Sequence, residues 1–138
     1  MLQLIEMFIS HGYAITFASS ASSSEKSFNL DSIGVATQQI AINDSSFDDF
    51  VRQLNPTLVL FDRFITEEQF AWRVTQSCPK ALKILDTEDL HFLRKARQQA
   101  LKNATDVKDS NLFTETAKRE IASILRCDLS LIISEFEM

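Results

Sequence analysis

Gly12, Gly34, Pro56 and Pro79 are the only glycines and prolines in the chain, and they recur at intervals of 22 or 23 residues. Residues of these two types interrupt helices and strands, so their spacing divides the chain into structural segments. After each comes a strand-like run: YAITFA at 13–18, VATQQIAI at 35–42, TLVLFD at 57–62 and KALKILD at 80–86. A fifth, LSLIIS at 129–134, follows Cys127 and Asp128. The period is one of structure only, since the segments share no sequence.

The intervening segments have helical periodicity. In MLQLIEMFISHG, Leu4, Ile5 and Phe8 share a face, and Gly12 is placed to end the helix. SFDDFVRQLN starts at Ser46 with Asp48 and Asp49 in its first turn and stops before Pro56. TEEQFAWRVTQSC carries the Thr66-x-x-Gln69 capping-box pattern and stops before Pro79. TEDLHFLRKARQQALKN and SNLFTETAKREIASILRC are the longest helical candidates. The serine-rich ASSASSSEKSF at 18–28 is expected to be a loop leading into a short helix over Leu30 to Ile33.

Strands alternating with helices at this spacing imply crossover units and a mostly parallel sheet. LVLF and LSLII are continuously apolar, as strands covered on both faces should be, whereas VATQQIAI is mixed and suits an edge. The expected fold class is α/β and Rossmann-like, with about five mostly parallel strands and helices on both faces. We expect one domain over residues 1–138. The series opens on a helix and SEFEM reads as the first turn of another, so the domain is expected to be incomplete at both ends.

Bulk properties exclude some functions. The chain has 138 residues, a net charge of −5 and 24% charged residues; nucleic-acid binding, which usually leaves a basic footprint, is not expected. No apolar run is long enough to span a bilayer, and the N-terminus lacks the pattern of a signal peptide. Cys78 and Cys127 form no CxxC motif, which fits a reduced, cytoplasmic setting. Most of the eleven phenylalanines are expected in the core. No phosphate-binding glycine loop or G-x-S-x-G elbow occurs.

In open α/β sheets, ligands bind beyond the carboxyl ends of the strands. The side chains there are Ser19 and Ser20, Asn43 and Asp44, Asp62 and Arg63, Asp86 to His91, and Ser134 and Glu135. KILDTEDLHFLRKAR is the densest of these stretches, with Asp86, Glu88, Asp89 and His91 within six residues. Its acids suit the first turn of a helix capped by Thr87, with Arg94, Lys95, Arg97 and Lys102 toward the other end. This strand is expected to run straight into its helix, placing Asp86 at the sheet's rim and His91 in or just past the first turn. A neutral imidazole there suits a general base or a hydroxyl-binding group. The cluster lacks the i, i+4 ligand spacing of helical metal sites, so no metal is expected. Asp62 and Arg63 form either an ion pair at the rim or a polar ligand contact. A receiver-like reading, with Asp62 as phosphoryl acceptor, lacks the lysine it would need after a later strand.

The block ILDTEDLHFLRKAR, preceded by LNPTLVLFDRFITEEQFAWRV and CPKALK, resembles the N-terminal, acceptor-side Rossmann-like half of bacterial GT-B type glycosyltransferases. RCDLSLIISEFEM is similar to the strand and turn that close that half. The resemblance implies transfer of a sugar from a nucleotide-sugar donor to an acceptor hydroxyl on a small molecule or glycan. It implies a cleft lined by Asp86, Glu88, Asp89 and His91, with Asp62 and Arg63 near it, and His91 or Asp89 as the acid/base candidate if the reaction inverts. No cofactor or catalytic metal is implied. The donor is expected mainly on a second domain outside this stretch, leaving the chain inactive alone. The alternative is a non-catalytic α/β binding or assembly module that self-associates through an exposed sheet edge.

Overall fold

A computed structural model describes residues 1–21, 28–107 and 112–134. The central part of the serine-rich stretch, the start of SNLFTETAKRE, Glu135 and the remainder of SEFEM lie outside the described residues. The chain is α/β, and its five described strands, all paired in parallel, form one sheet of two strands and one of three. By contact it divides into two compact units, 1–50 and 51–138.

In the first unit, α1 (Leu2–Ser10) ends where Gly12, at φ 83°, reverses the chain. Gly12 and Tyr13 donate back to the carbonyls of Ile9 and Phe8, which satisfies carbonyls the helix leaves open. β1 (Thr16–Ser19) pairs with β2 (Ala36–Gln39), Thr16 opposite Ala36. A short 3₁₀ turn, Leu30–Ile33, precedes β2 at the position the sequence indicates, with Asn29 Oδ1 accepting from Asp31 N–H and Gly34 closing it at φ 78°. All four residues of β2 are exposed, in keeping with its mixed composition. α2 (Ser46–Leu54) runs across the division between the units, with Asp48 and Asp49 in its first turn as expected.

The second unit is a parallel sheet in the order β3 (Leu58–Asp62), β4 (Leu82–Asp86), β5 (Leu129–Leu131). β3 and β4 are in full register, Leu58 opposite Leu82 and Asp62 opposite Asp86. Both strands therefore end on an aspartate at the same edge. Asp128 pins β5 onto β4: its Oδ2 accepts from Lys83 N–H at 2.8 Å and its own N–H donates to Lys83 O at 2.9 Å. α3 (Arg63–Ser77) packs on β3 and β4, while α5 (Glu115–Arg126) packs on α3 and on α4 (His91–Asn103). Phe61, Phe64, Phe70, Val74 and Leu85 form much of the core. α5 begins at a side-chain cap, Thr114 Oγ1 accepting from Ala117 N–H.

Four local expectations are corrected. α3 starts at Arg63, directly after β3, so Thr66 lies inside the helix and its pairing with Gln69 is not a capping box. The abrupt strand-to-helix junction is thus the one at Asp62–Arg63, where Arg63 takes φ 65°, whereas residues 87–90 separate β4 from α4. Thr87 is no cap either: its N–H and hydroxyl both bond to Leu131 O, at 3.2 and 2.9 Å, extending the link to β5. Nor does the core absorb most of the phenylalanines. Phe47, Phe61, Phe64 and Phe70 are buried, but Phe17, Phe28 and Phe113 are exposed. Aromatic content marks candidates for burial, while neighbouring elements determine which are covered.

Candidate functional site

The register of β3 and β4 brings Asp62, Arg63, Asp86 and Glu88 to one rim of the second unit. Arg63 donates to both oxygens of Asp62, at 3.3 and 3.1 Å, and lies 3.6 Å from Glu88 Oε2. Asp62 raises the Arg63 guanidinium above its ordinary range, through hydrogen bonding and charge, with smaller contributions from Glu88 and Asp89. Asp62 and Arg63 thus form an ion pair at the rim. Asp86 is buried, and its Oδ1 accepts from Glu88 N–H at 3.2 Å. Asp89 is engaged by Arg94 at 2.8 Å. Arg63 and Glu88 both have positive φ, 65° and 53°, a conformation that costs a non-glycine residue on the order of 1–2 kcal/mol.

Asp86, Glu88 and Asp89 therefore all lie before α4, whose first turn contains no acid. Leu90 occupies the N-cap position and offers no side-chain acceptor. The missing acceptor comes from α5. Glu120 Oε1 accepts from His91 N–H and Oε2 from Phe92 N–H, both at 2.8 Å. A carboxylate there meets free N–H groups and the positive end of the helix dipole together. The same Oε1 lies 2.9 Å from His91 Nδ1. Glu120's side chain is 4% exposed and that of His91 is 16% exposed.

His91 is the first residue of α4. Its ring and that of Phe64 make a T-shaped contact, centroids 5.4 Å apart, and the Arg119 guanidinium lies 5.2 Å from the Phe64 ring centre. α3, α4 and α5 thus all contribute to holding the imidazole, whose Nε2 has no hydrogen-bond partner among the described residues. Such an arrangement can accept a proton or a hydrogen bond at Nε2 while Nδ1 stays fixed.

Sequence reasoning missed Glu120. It lies on the inward stripe of α5 with Ala117 and Ser123, three residues from each. A carboxylate in the middle of a small-residue stripe was the available signal. Glu67 is a second buried carboxylate, on the largely apolar inward stripe of α3 with Phe64, Phe70, Ala71 and Val74, and its two oxygens accept from Nε and Nη2 of Arg126.

Other expected rim residues serve locally. In the first unit, Asp44 Oδ1 accepts from Ser46 N–H at 2.8 Å where α2 begins, and Ser19 Oγ accepts from Ala21 N–H. Among the described residues no group of three or more His, Cys, Asp or Glu side chains is disposed to hold a metal, and no helix is long and apolar enough to cross a membrane. Two open grooves, one lined by Lys95, Gln98 and Lys102 and the other by Glu67, Trp72, Lys83 and Arg126, share no residue with the rim.

The fold and rim define the class, an α/β protein with parallel strands in which the histidine that follows a central strand is paired with a glutamate of a later helix. No family model matches the chain, and comparison with curated proteins and with solved structures gives no match either.

Proposed function

We propose that the chain is the acceptor-binding α/β unit of a glycosyltransferase that uses a nucleotide-sugar donor. The family reading comes from the resemblance of ILDTEDLHFLRKAR. The observation that supports it is His91, braced by Glu120 and placed just past the carboxyl end of the central strand. In this reading an acceptor hydroxyl donates to His91 Nε2. If transfer inverts the anomeric centre, Nε2 takes that proton as the acceptor oxygen attacks; if it retains, the same contact only orients the acceptor. Asp89, engaged by Arg94, orients the approach, Asp62, Arg63 and Glu88 offer polar contacts to further hydroxyls, and the buried Asp86 holds the Glu88 backbone in place. The nucleotide sugar is bound mainly outside residues 1–138, and the reading calls on no metal.

A panel of saccharides screened by saturation-transfer NMR tests this. At least one saccharide should bind at millimolar concentration, and His91→Ala should abolish the signal in a chain whose circular dichroism is unchanged. No binding by any saccharide, or binding untouched by the substitution, overturns the reading.

A second reading, assembly through a sheet edge, is favoured by β3 and β5. Each has one side unpaired among the described residues, and such edges invite pairing with another chain. Light scattering over a hundredfold range of concentration distinguishes the two, since a constant monomer mass excludes self-association.

A further inference from the structure

We propose that Glu120 is a positioning residue that locks His91 in its Nδ1–H tautomer, which makes Nε2 the atom presented to a hydroxyl-bearing ligand. The ligand class rests on the acceptor-binding reading; the tautomer does not.

Hydrogen-bond capacity decides which ring nitrogen carries the hydrogen. Each Glu120 oxygen already faces a backbone N–H, Oε1 that of His91 and Oε2 that of Phe92. A backbone N–H can only donate, so both oxygens act as acceptors. Nδ1, 2.9 Å from Oε1, must then carry hydrogen, because two lone pairs would otherwise face each other. A neutral imidazole bears one N–H, so its remaining lone pair is on Nε2.

The ring is also held in direction. The contact with Phe64 restricts rotation about the Nδ1···Oε1 axis, and His91's own backbone N–H is fixed by the same oxygen as its ring. One carboxylate thus couples the start of α4 to the orientation of the imidazole. Free histidine favours the Nε2–H form, so the opposite tautomer is a specific consequence of this contact.

The test needs no ligand. Long-range ¹H–¹⁵N correlation spectra of the ¹⁵N-labelled chain, recorded at alkaline pH where imidazoles are neutral, report the tautomer of each ring. The chain has two histidines, and His11→Gln leaves the His91 signals alone. The expected spectrum has Nδ1 of the protonated, pyrrole type and Nε2 of the pyridine type. Glu120→Ala, which removes the acceptor facing Nδ1, should shift His91 toward the Nε2–H form. An Nε2–H tautomer in the unsubstituted chain overturns the proposal, and so does an unchanged Nδ1–H form in a folded Glu120→Ala variant. Should the variant not fold, the spectrum of the unsubstituted chain still decides. On adding a saccharide that binds, the Nε2 resonance should move more than Nδ1; the reverse overturns the ligand-facing role. Failure of every saccharide to bind, with the Nδ1–H tautomer present, overturns the acceptor reading alone.

Discussion

Glu120 and His91, 29 residues apart in sequence, meet twice: through the backbone N–H at 2.8 Å and through Nδ1 at 2.9 Å, both on one carboxylate oxygen. The contact closes the helical end of the second unit, because the carboxylate also takes Phe92 N–H and is almost wholly buried. Glu120→Ala would leave two helix N–H groups and a ring N–H without an acceptor. The expected cost is about 2–4 kcal/mol, read as a fall in the urea midpoint. Glu120→Gln keeps an acceptor for part of the set and should cost less. Equal stability of the Ala variant and the parent would show that water replaces the carboxylate freely.

Phe61 and Phe113 give opposite predictions. Phe61 lies on β3 and is 2% exposed, whereas Phe113 is 90% exposed. Phe61→Ala should cost about 3–5 kcal/mol through lost burial and the resulting cavity. Phe113→Ala should stay within about 0.5 kcal/mol. Thermal unfolding of the two variants separates them, and a loss at Phe113 as large as that at Phe61 would contradict this ranking by burial.

Glu88 holds φ at 53° and contributes an exposed ion pair to Arg63 at 3.6 Å. Exposed pairs are worth about 1 kcal/mol at most. Glycine removes the left-handed penalty but loses more chain entropy on folding, about 0.5–1 kcal/mol. Glu88→Gly should therefore be neutral to stabilising by about 0.5 kcal/mol, whereas Glu88→Val, β-branched at positive φ, should destabilise. Paired melting curves check the order, and a less stable glycine variant would mean that the Glu88 side chain contributes more than its visible contact.

Burial, reinforced by Glu67, pushes the Cys127 thiol up to about 11. Only the thiolate attacks an alkylating agent. At neutral pH the group is almost entirely protonated, so iodoacetamide should label it roughly tenfold or more slowly than a free cysteine, allowing for the greater nucleophilicity of a more basic thiolate. Its rate should still be climbing at about pH 10. Mass spectrometry distinguishes it from Cys78, which is buried and donates Sγ–H to Val51 O. A rate that levels off at about pH 8–9 would contradict the shift.

The elements were legible because their signals are local. β1 to β4, Ser19 of β1 excepted, each fall inside a run that follows one of the glycines or prolines, β5 falls inside LSLIIS, and Gly12 and Gly34 both take the positive φ that made them stops. Helix starts were less legible. Thr66–Gln69 and Thr87 carry the right residues for caps, but the strand-to-helix turn at Arg63 and the bonds of Thr87 to Leu131 O assign them elsewhere. A cap pattern needs only a few residues in order, and a neighbouring strand can take its hydrogen bonds.

Sequence alone determined the α/β class and the position of Asp62 and Asp86 at strand ends, since side-chain size, branching and backbone freedom act over a few residues. Tertiary structure decided that the five strands form two sheets, and that Asp62 and Asp86 lie side by side in register. It also decided that His91 is held by Glu120 instead of by its own segment's acids. Those outcomes depend on contacts between residues far apart in sequence, which no local pattern specifies. In this chain a carboxylate on the inward stripe of α5 supplies the acceptor that Leu90 lacks.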